Sequence, residues 1–147
     1  MERPACKTYF CLVFDFDVKK NAASLKARRD CTPEELGIYN KTEVERFIVD
    51  RLGVVPEWRR HRFILGCNEN YDVDVNVMLR ATLKDLFGKE DIIKRACEQF
   101  GVSAALVIVP YIVADSDEPH QLLSLDRDII DFMSRSGMAM DLDYYII

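Results

Sequence analysis

The C-terminal third of the chain, residues 102–147, constrains the fold more than any other stretch. Nine of the eleven residues from 104 to 114 are aliphatic, the others being Pro110 and Tyr111. Such a run predicts a strand buried on both faces or beneath a layer of helices. Because proline cannot donate a hydrogen bond within a central ladder, we expect this strand to lie at a sheet edge, or to carry a bulge, at Pro110.

A helix and a last strand follow this buried run. The apolar spacing predicts a helix that Ser124 caps and that Gly137 ends. Residues 138–147 then alternate between apolar and acidic or aromatic positions. Alternation of this kind predicts a strand with one covered face and one face in water.

The rest of the chain adds two strands and about three helices. The strands are predicted at residues 8–17 and 61–67, and the clearest helices at 42–52, 75–86 and 90–100. The resulting order is β, α, β, α, α, β, α, β. We therefore expect an α+β fold, a two-layer sandwich in which a four-stranded, mostly antiparallel sheet carries about four helices on one face.

A single domain over residues 1–147 is expected, with a predicted loop insertion at 18–41, where apolar periodicity disappears. The composition, 49% hydrophobic and 31% charged, is typical of a globular protein. No secretory signal or membrane-length apolar run is recognisable, so we expect a cytoplasmic protein without membrane contact. Five cysteines without a C-x-x-C pair indicate reduced thiols, and no motif indicates a cofactor.

Charge is unevenly distributed. Residues 1–74 carry 13 basic and 13 acidic side chains, whereas the remainder carries 7 and 12, so the whole net charge of −5 is C-terminal. An acidic surface can steer a basic partner. We therefore expect a non-enzymatic protein-binding domain, with immunity or antitoxin-type proteins as the nearest class and a basic toxin domain as a candidate partner. The predicted partner-binding residues are Asp115, Asp117, Glu118, Asp126, Asp128 and Asp131.

An enzymatic alternative arises from aspartates two residues apart on the first and last predicted strands. That spacing puts both carboxylates of a pair on one face of a strand. If the two strands are neighbours, Asp15, Asp17, Asp141 and Asp143 converge into an oxygen site for magnesium or calcium. The alternative function is then metal-dependent phosphoryl transfer or a nuclease-like reaction. Against it stands a solvated sheet face, and a scaffold or regulatory domain is the third possibility.

The remaining polar motifs carry less chemistry. Neither His61 nor His120 has a recognisable nucleophile setting, which favours surface histidines and leaves no catalytic residue assigned. Trp58 precedes a basic run, a combination that can stack on nucleic acid and neutralise it. The net negative charge disfavours such binding, so nucleic acid is not the expected partner.

Several segments resemble a bacterial family, domain-of-unknown-function family 4279. The resemblance is carried by Phe14-Asp15-Phe16-Asp17, by the turn Leu52-Gly53-Val54-Val55-Pro56, by Leu83-Lys84-Asp85-Leu86, by Leu123-Ser124 and by Asp141-Leu142-Asp143-Tyr144. It implies a shared fold but no activity, because none is assigned to the family. Segment 18–41 departs from the family pattern as an insertion.

Overall fold

The computed structural model describes residues 7–14, 32–34, 37–69, 74–112, 124–143 and 145–146. A π-helical turn, Ile48–Leu52, continues the first α-helix. The elements are, in chain order, β1 (Lys7–Phe14), α1 (Lys41–Phe47), β2 (Glu57–Arg59), β3 (Arg62–Asn68), α2 (Val75–Leu83), α3 (Glu90–Phe100), β4 (Val102–Val109), β5 (Tyr111–Ile112), α4 (Arg127–Ser136), β6 (Ala139–Leu142) and β7 (Tyr145–Ile146).

Five of these strands form one mixed sheet in the order β2-β3-β1-β4-β6. β1 is antiparallel to β3 and β4, and β2 is antiparallel to β3, but β6 runs parallel to β4. The α+β class is confirmed. The expected four-stranded, mostly antiparallel sheet is wrong in its number of strands, because the observed sheet has five strands and is mixed, with one parallel pairing among three antiparallel ones. The hairpin strand β2 is too short to give a periodic signal, and α4 returns the chain in the direction that makes β6 parallel.

Each of the two predicted C-terminal strands is divided into two shorter strands. β4 ends at Val109 and β5 begins at Tyr111, in a separate two-stranded sheet with β7. β4 is flanked by β1 and β6, so it is a central strand, and the expected edge or bulge at Pro110 is wrong. The ladder stops before the proline instead, because that residue has no N–H to donate.

One face of the sheet carries the main core. Alternate residues of β1, namely Phe10, Leu12 and Phe14, point into it and are almost fully buried. All four described α-helices contribute to the same cluster, with Phe132 of α4 packing edge-on against Phe87 at 5.2 Å between ring centroids. The helices therefore lie on one side of the sheet.

The opposite face of the sheet has its own small apolar cluster. Its buried members are Cys11, Ala105, Val107 and Val109, and Ile64 is among the partly buried side chains packed against them. Within the described parts of the chain, only strand residues belong to this cluster, and no helix contributes to it. We refer to this side as the helix-free face.

Helix starts depart from the predicted caps. Asn40 occupies the N-cap of α1, which was expected to start at residue 42, and its side chain donates to the Phe100 carbonyl at 3.1 Å. α4 begins at Arg127 rather than beside Ser124. Its end is as expected, because Gly137 adopts a left-handed conformation, φ 71°, that an L side chain rarely takes.

A hydrogen-bond cluster joins α2 to the sheet. The hydroxyl of Thr82 lies 2.6 Å from that of Thr8 and donates to the Met78 carbonyl at 3.1 Å. Gly66 of β3 allows this approach, because an added Cβ would lie 2.2 Å from the Thr82 carbonyl oxygen.

None of the described helices is long and apolar enough to cross a membrane.

Candidate functional site: a groove on the helix-free face

A groove of about 740 Å³ lies over the helix-free face of the sheet. We call it the sheet groove. Strand register places its floor in rows across the sheet: Cys67, Tyr9, Val107 and Asp141 are successive partners on β3, β1, β4 and β6. Paired residues point to the same face, so one row runs from the hairpin side of the groove to the β6 side.

The floor of the sheet groove is apolar. Val107 and Val109 are buried, and Ile64 and Tyr9 are half-buried. Arg62 extends over this floor and donates from Nη1 to the Tyr9 hydroxyl oxygen at 3.5 Å. The long arginine stem thereby covers apolar surface while its guanidinium stays at the groove.

The wall on the hairpin side is basic. Arg59, Arg60 and Arg62 come from the β2–β3 hairpin, and Arg60 stands at its tip with φ 58°. Arg59 is paired with Glu57 at 2.8 Å. Within the described ranges, Arg60 and Arg62 have no carboxylate within ion-pair distance. These two side chains give the wall a positive charge.

The opposite wall is acidic. Asp141 belongs to β6 and Asp143 follows it, with its backbone N–H donating to the Ile108 carbonyl at 2.9 Å. Both residues line the sheet groove. No cation of the described residues lies within ion-pair distance of Asp141. The groove therefore separates a basic hairpin wall from an acidic β6 wall by an apolar floor.

Cysteines of the helix-free face are not activated nucleophiles. Cys11 and Cys67 are unpaired thiols. Burial is the main cause that raises the pKa of Cys11, although nearby Arg62 acts in the opposite direction. Burial likewise raises the pKa of Cys67, and Glu69 adds to the effect. Both thiols are consequently protonated at neutral pH, whereas nucleophilic attack requires the thiolate.

None of the predicted partner-binding residues that the structure describes lines this groove. Asp115, Asp117 and Glu118 lie outside the described residues. Asp126 and Asp128 sit at the start of α4, and Asp131 is exposed on that helix, in the helix layer. The surface expected from charge alone is therefore, as far as it is described, on the other side of the sheet.

Arg80 further reduces the negative charge that Asp126 and Asp128 offer. Its guanidinium forms a bidentate bond to Asp128, at 3.2 and 3.0 Å, and a short contact to Asp126. These bonds lower the pKa of Asp128. Asn76 of α2 completes the connection, because its side chain donates to the Ser124 carbonyl and accepts from the Asp126 N–H, both at 2.8 Å.

The predicted metal site is only partly described. Asp15 and Asp17 lie outside the described residues, so their convergence with Asp141 and Asp143 stays a prediction. Its stated condition is not met, because β4 lies between β1 and β6. Phe14, where β1 ends, pairs with Val102, five residues along β4 from the partner of Asp141. Across the described residues, no three histidine, cysteine, aspartate or glutamate side chains cluster as metal ligands would.

The aromatic and basic run at the hairpin is structural at its aromatic end. Trp58 packs edge-on against Phe63 and Phe14, with ring centroids 4.9 and 5.6 Å away, and Lys41 lies over its ring. His61 is buried, 9% exposed, in the hairpin turn, which corrects the expectation of a surface histidine. Trp58 is thus part of the core side of the sheet rather than an open stacking platform.

Sequence reasoning identified both charged groups of the sheet groove but did not bring them together. The cluster Arg59, Arg60 and Arg62 was visible as a basic run, and Asp141 and Asp143 as one face of a strand. The sequence does not reveal the strand order, which puts β3 and β6 on either side of β1 and β4. The usable signal was the alternation of Lys7, Tyr9 and Cys11 along β1, which marks a second, partly polar face.

Comparison with known proteins identifies the family but no characterised relative. No curated protein and no solved structure matches the chain. A family model described as "Domain of unknown function (DUF4279)" matches residues 41–147. The match includes the β2–β3 hairpin and β6, the two charged walls of the sheet groove, whereas β1 and segment 18–40 precede it. Since the match covers well over half of its length, the chain belongs to the DUF4279 family.

Proposed function

We propose that this protein is a non-enzymatic binding domain that holds a segment of another protein in the sheet groove. The observation that carries the proposal is the arrangement of the groove, an apolar floor between walls of opposite charge. Such a surface recognises both the apolar pattern and the charge orientation of a ligand, and complementary charge contributes specificity and association rate.

The charges available to a partner are those not already neutralised by neighbours. Arg59 is paired with Glu57, and Lys7 with Glu69 at 3.5 Å, so these four side chains largely compensate one another. Among the described residues, what remains is the positive charge of Arg60 and Arg62 on the hairpin wall and the negative charge of Asp141 on the β6 wall. A matching segment carries acidic residues toward the hairpin and basic residues toward β6.

The dimensions of the groove suit a polypeptide. From β3 to β6 the sheet advances by three strand spacings, or about 14 Å. A single helix, about 10–12 Å across with side chains, or an extended segment fits this width. Eight of the fourteen lining residues are charged, whereas small-molecule sites are lined mostly by apolar and aromatic groups. The composition of the groove therefore favours a protein ligand.

Immunity and antitoxin-type proteins are the nearest class for such a domain, with a basic toxin domain as the candidate partner in the cytoplasm. The acidic β6 wall supports a basic partner, and electrostatic steering would accelerate capture. Among the predicted acidic residues, Asp131 is exposed and forms no ion pair with another described residue, so it can add to the same field. A purely acidic binding surface is less favoured, because Arg80 offsets part of the negative charge of Asp126 and Asp128.

The experiment selects peptides from a phage-displayed library of random dodecapeptides on the wild-type protein and on charge-reversed variants. Arg60→Glu reverses the hairpin wall, and Asp141→Lys reverses the β6 wall. Arg95→Glu and Asp85→Lys are matched controls, because both residues are exposed and lie outside the groove. Affinities of the enriched peptides are then measured by calorimetry.

The proposal predicts enrichment of peptides that carry carboxylates and basic groups on either side of an apolar centre. Each groove reversal should weaken these peptides by about twofold to fivefold per charge, the range for exposed ion pairs, and the controls should leave them unchanged. Peptides that bind all five proteins equally, or the absence of any enrichment on the wild type, would contradict the proposal.

A further inference from the structure

The outer edge of the five-stranded sheet is formed by β6. All four of its residues are exposed, and β4 is its partner on the inner side. Among the described residues no strand pairs with its outer side, and no side chain there forms a hydrogen bond to it. Exposed edge strands present backbone donors and acceptors that a further strand can use.

The register identifies which backbone groups face outward. Asp143 donates its N–H to the Ile108 carbonyl of β4, so its backbone polar groups point inward. Along a strand these groups alternate in direction from one residue to the next, and Asp141 therefore points inward as well. Met140 and Leu142 consequently direct their N–H and C=O groups away from the sheet, which leaves two donors and two acceptors on the edge.

The side chains of β6 alternate in the same way between the two faces. Met140 and Leu142 pair with Leu106 and Ile108, whose side chains belong to the main core, so strand alternation directs them to the helix side, although Leu142 also borders the sheet groove. Each is nevertheless 43% exposed. Asp141 projects on the helix-free face, where it has no described cationic partner. A strand added here meets apolar groups on one face and a carboxylate on the other.

The other edge of the sheet lacks these properties. β2 has only three residues, Pro56 precedes it, and its ends are the mutually paired Glu57 and Arg59. Proline and charge are the usual devices that keep an edge from pairing. β6 contains no proline and a single charge, Asp141, and its outward backbone groups belong to two exposed apolar residues. The contrast singles out β6 as the edge open to a partner.

We infer that β6 is a docking site for an extended segment of another protein, which adds to the sheet as a further strand. Charge complementarity defines its chemistry: basic side chains alternate with apolar ones, the basic set facing Asp141 and the apolar set facing Met140 and Leu142. Main-chain bonds supply the affinity of such strand addition, and alternate side chains supply its specificity. This site extends the proposed function: it uses the backbone edge of β6 and not the groove floor, and it shares Asp141 with the acidic wall of the sheet groove.

The test uses a fluorescein-labelled heptapeptide that alternates lysine and valine, with binding followed by fluorescence anisotropy. A heptapeptide that alternates glutamate and valine is the charge control. Two further versions carry backbone N-methyl groups, on the valines in one and on the lysines in the other. Only one of these sets points its N–H groups at β6, so one methylated peptide should lose binding and the other retain it. Loss with methylated valines identifies an antiparallel partner, and loss with methylated lysines a parallel one.

Three protein variants test the same site by changing β6 instead of the peptide. Leu142→Pro removes an outward N–H and leaves the inner ladder with β4 intact, so it should weaken the lysine peptide by about tenfold or more. Leu142→Val keeps the N–H and an apolar side chain and is the matched control, which should bind like the wild type. Asp141→Lys should favour the glutamate peptide over the lysine peptide by about twofold to fivefold.

Three results would overturn the inference. The first is an equal effect of the two methylated peptides, and the second is undiminished binding by Leu142→Pro. The third is a wild-type dimer, seen by light scattering, that Leu142→Pro converts to a monomer, since a second copy would then occupy the edge. Arg60→Glu separates this site from the sheet groove, because it should weaken groove-selected peptides and leave binding of the lysine peptide unchanged.

Discussion

Gly66→Ala is the substitution for which the fold permits the most definite prediction. An alanine Cβ at this position would lie 2.2 Å from the Thr82 carbonyl oxygen and 3.3 Å from its carbon. Ordinary van der Waals contact begins at 3.4 Å. The obstacle is backbone rather than a flexible side chain, so the end of α2 has to move away from β3 by about 1 Å to accept one methyl group.

The expected cost combines two effects. Overpacking of this kind costs about 1–3 kcal/mol. Movement of α2 also stretches the bonds that join Thr82 to Thr8, each worth about 1 kcal/mol. We expect Gly66→Ala to lower the free energy of unfolding by about 3 kcal/mol, and Tm by about 6–12 °C for a chain of this size.

Urea unfolding, followed by circular dichroism and by the fluorescence of the single tryptophan Trp58, measures the change. Gly37→Ala is the matched control: Gly37 has φ 77° but nothing within 4 Å of an added Cβ, so only left-handed backbone strain of about 1 kcal/mol is expected. Removing the Thr82 side chain as well should not rescue Gly66→Ala, because the contact is with the backbone. If Gly66→Ala costs no more than Gly37→Ala, the close approach of α2 to β3 is wrong.

Three further predictions concern the connection between α2 and α4 and the alternative metal site. Asn76→Ala should lower the free energy of unfolding by about 2–3 kcal/mol, because it removes the buried side chain that forms hydrogen bonds with the backbone of Ser124 and Asp126. Urea unfolding measures this change, and a loss of less than about 1 kcal/mol would contradict the prediction. Arg80→Gln should destabilise the protein at neutral pH and have less effect as pH falls below about 4. The reason is that folding lowers the pKa of the Asp128 carboxyl group. The stability that this ion pair contributes is therefore fully present above the pKa of Asp128 in the unfolded chain, and it is lost as pH falls through the lower pKa of the folded protein. Thermal unfolding at several pH values tests the trend, and a difference in stability that does not depend on pH would contradict it. Calorimetric titration with magnesium and with calcium should show no saturable binding, and stoichiometric heat that Asp141→Asn abolishes would instead revive the metal-dependent alternative.

The fold was predictable where periodicity and boundary residues agreed. The alternation along β1 and the apolar stripe of α3 correspond to observed elements. Gly137 ends α4 as expected. Strand length was harder, because an aliphatic run continues through Pro110 although the ladder of β4 stops at Val109. The aliphatic composition of this run indicates that it is buried. It does not indicate that the chain leaves the five-stranded sheet and enters the two-stranded sheet within the run.

The candidate site was less predictable than the fold. Net charge points to the acidic residues around α4, but it does not reveal the arginine that forms ion pairs with two of them. Arg80 lies 46 residues from Asp126 in sequence. Similarly, the walls of the sheet groove become opposite only through the strand order, which is a long-range property. Local patterns identify the faces of strands, whereas tertiary pairing decides which faces meet.

The central claim is tested most directly by finding which of the two faces of the sheet a bound peptide occupies. Isotope-labelled protein is titrated with a peptide enriched on the wild type, and backbone amide chemical shifts are followed by NMR. The sheet groove predicts the largest shifts at Tyr9, Ile64 and Val107, with the helix layer around Ile93 and Phe132 unaffected. Shifts concentrated on the helix layer, with these groove amides unchanged, would contradict the account.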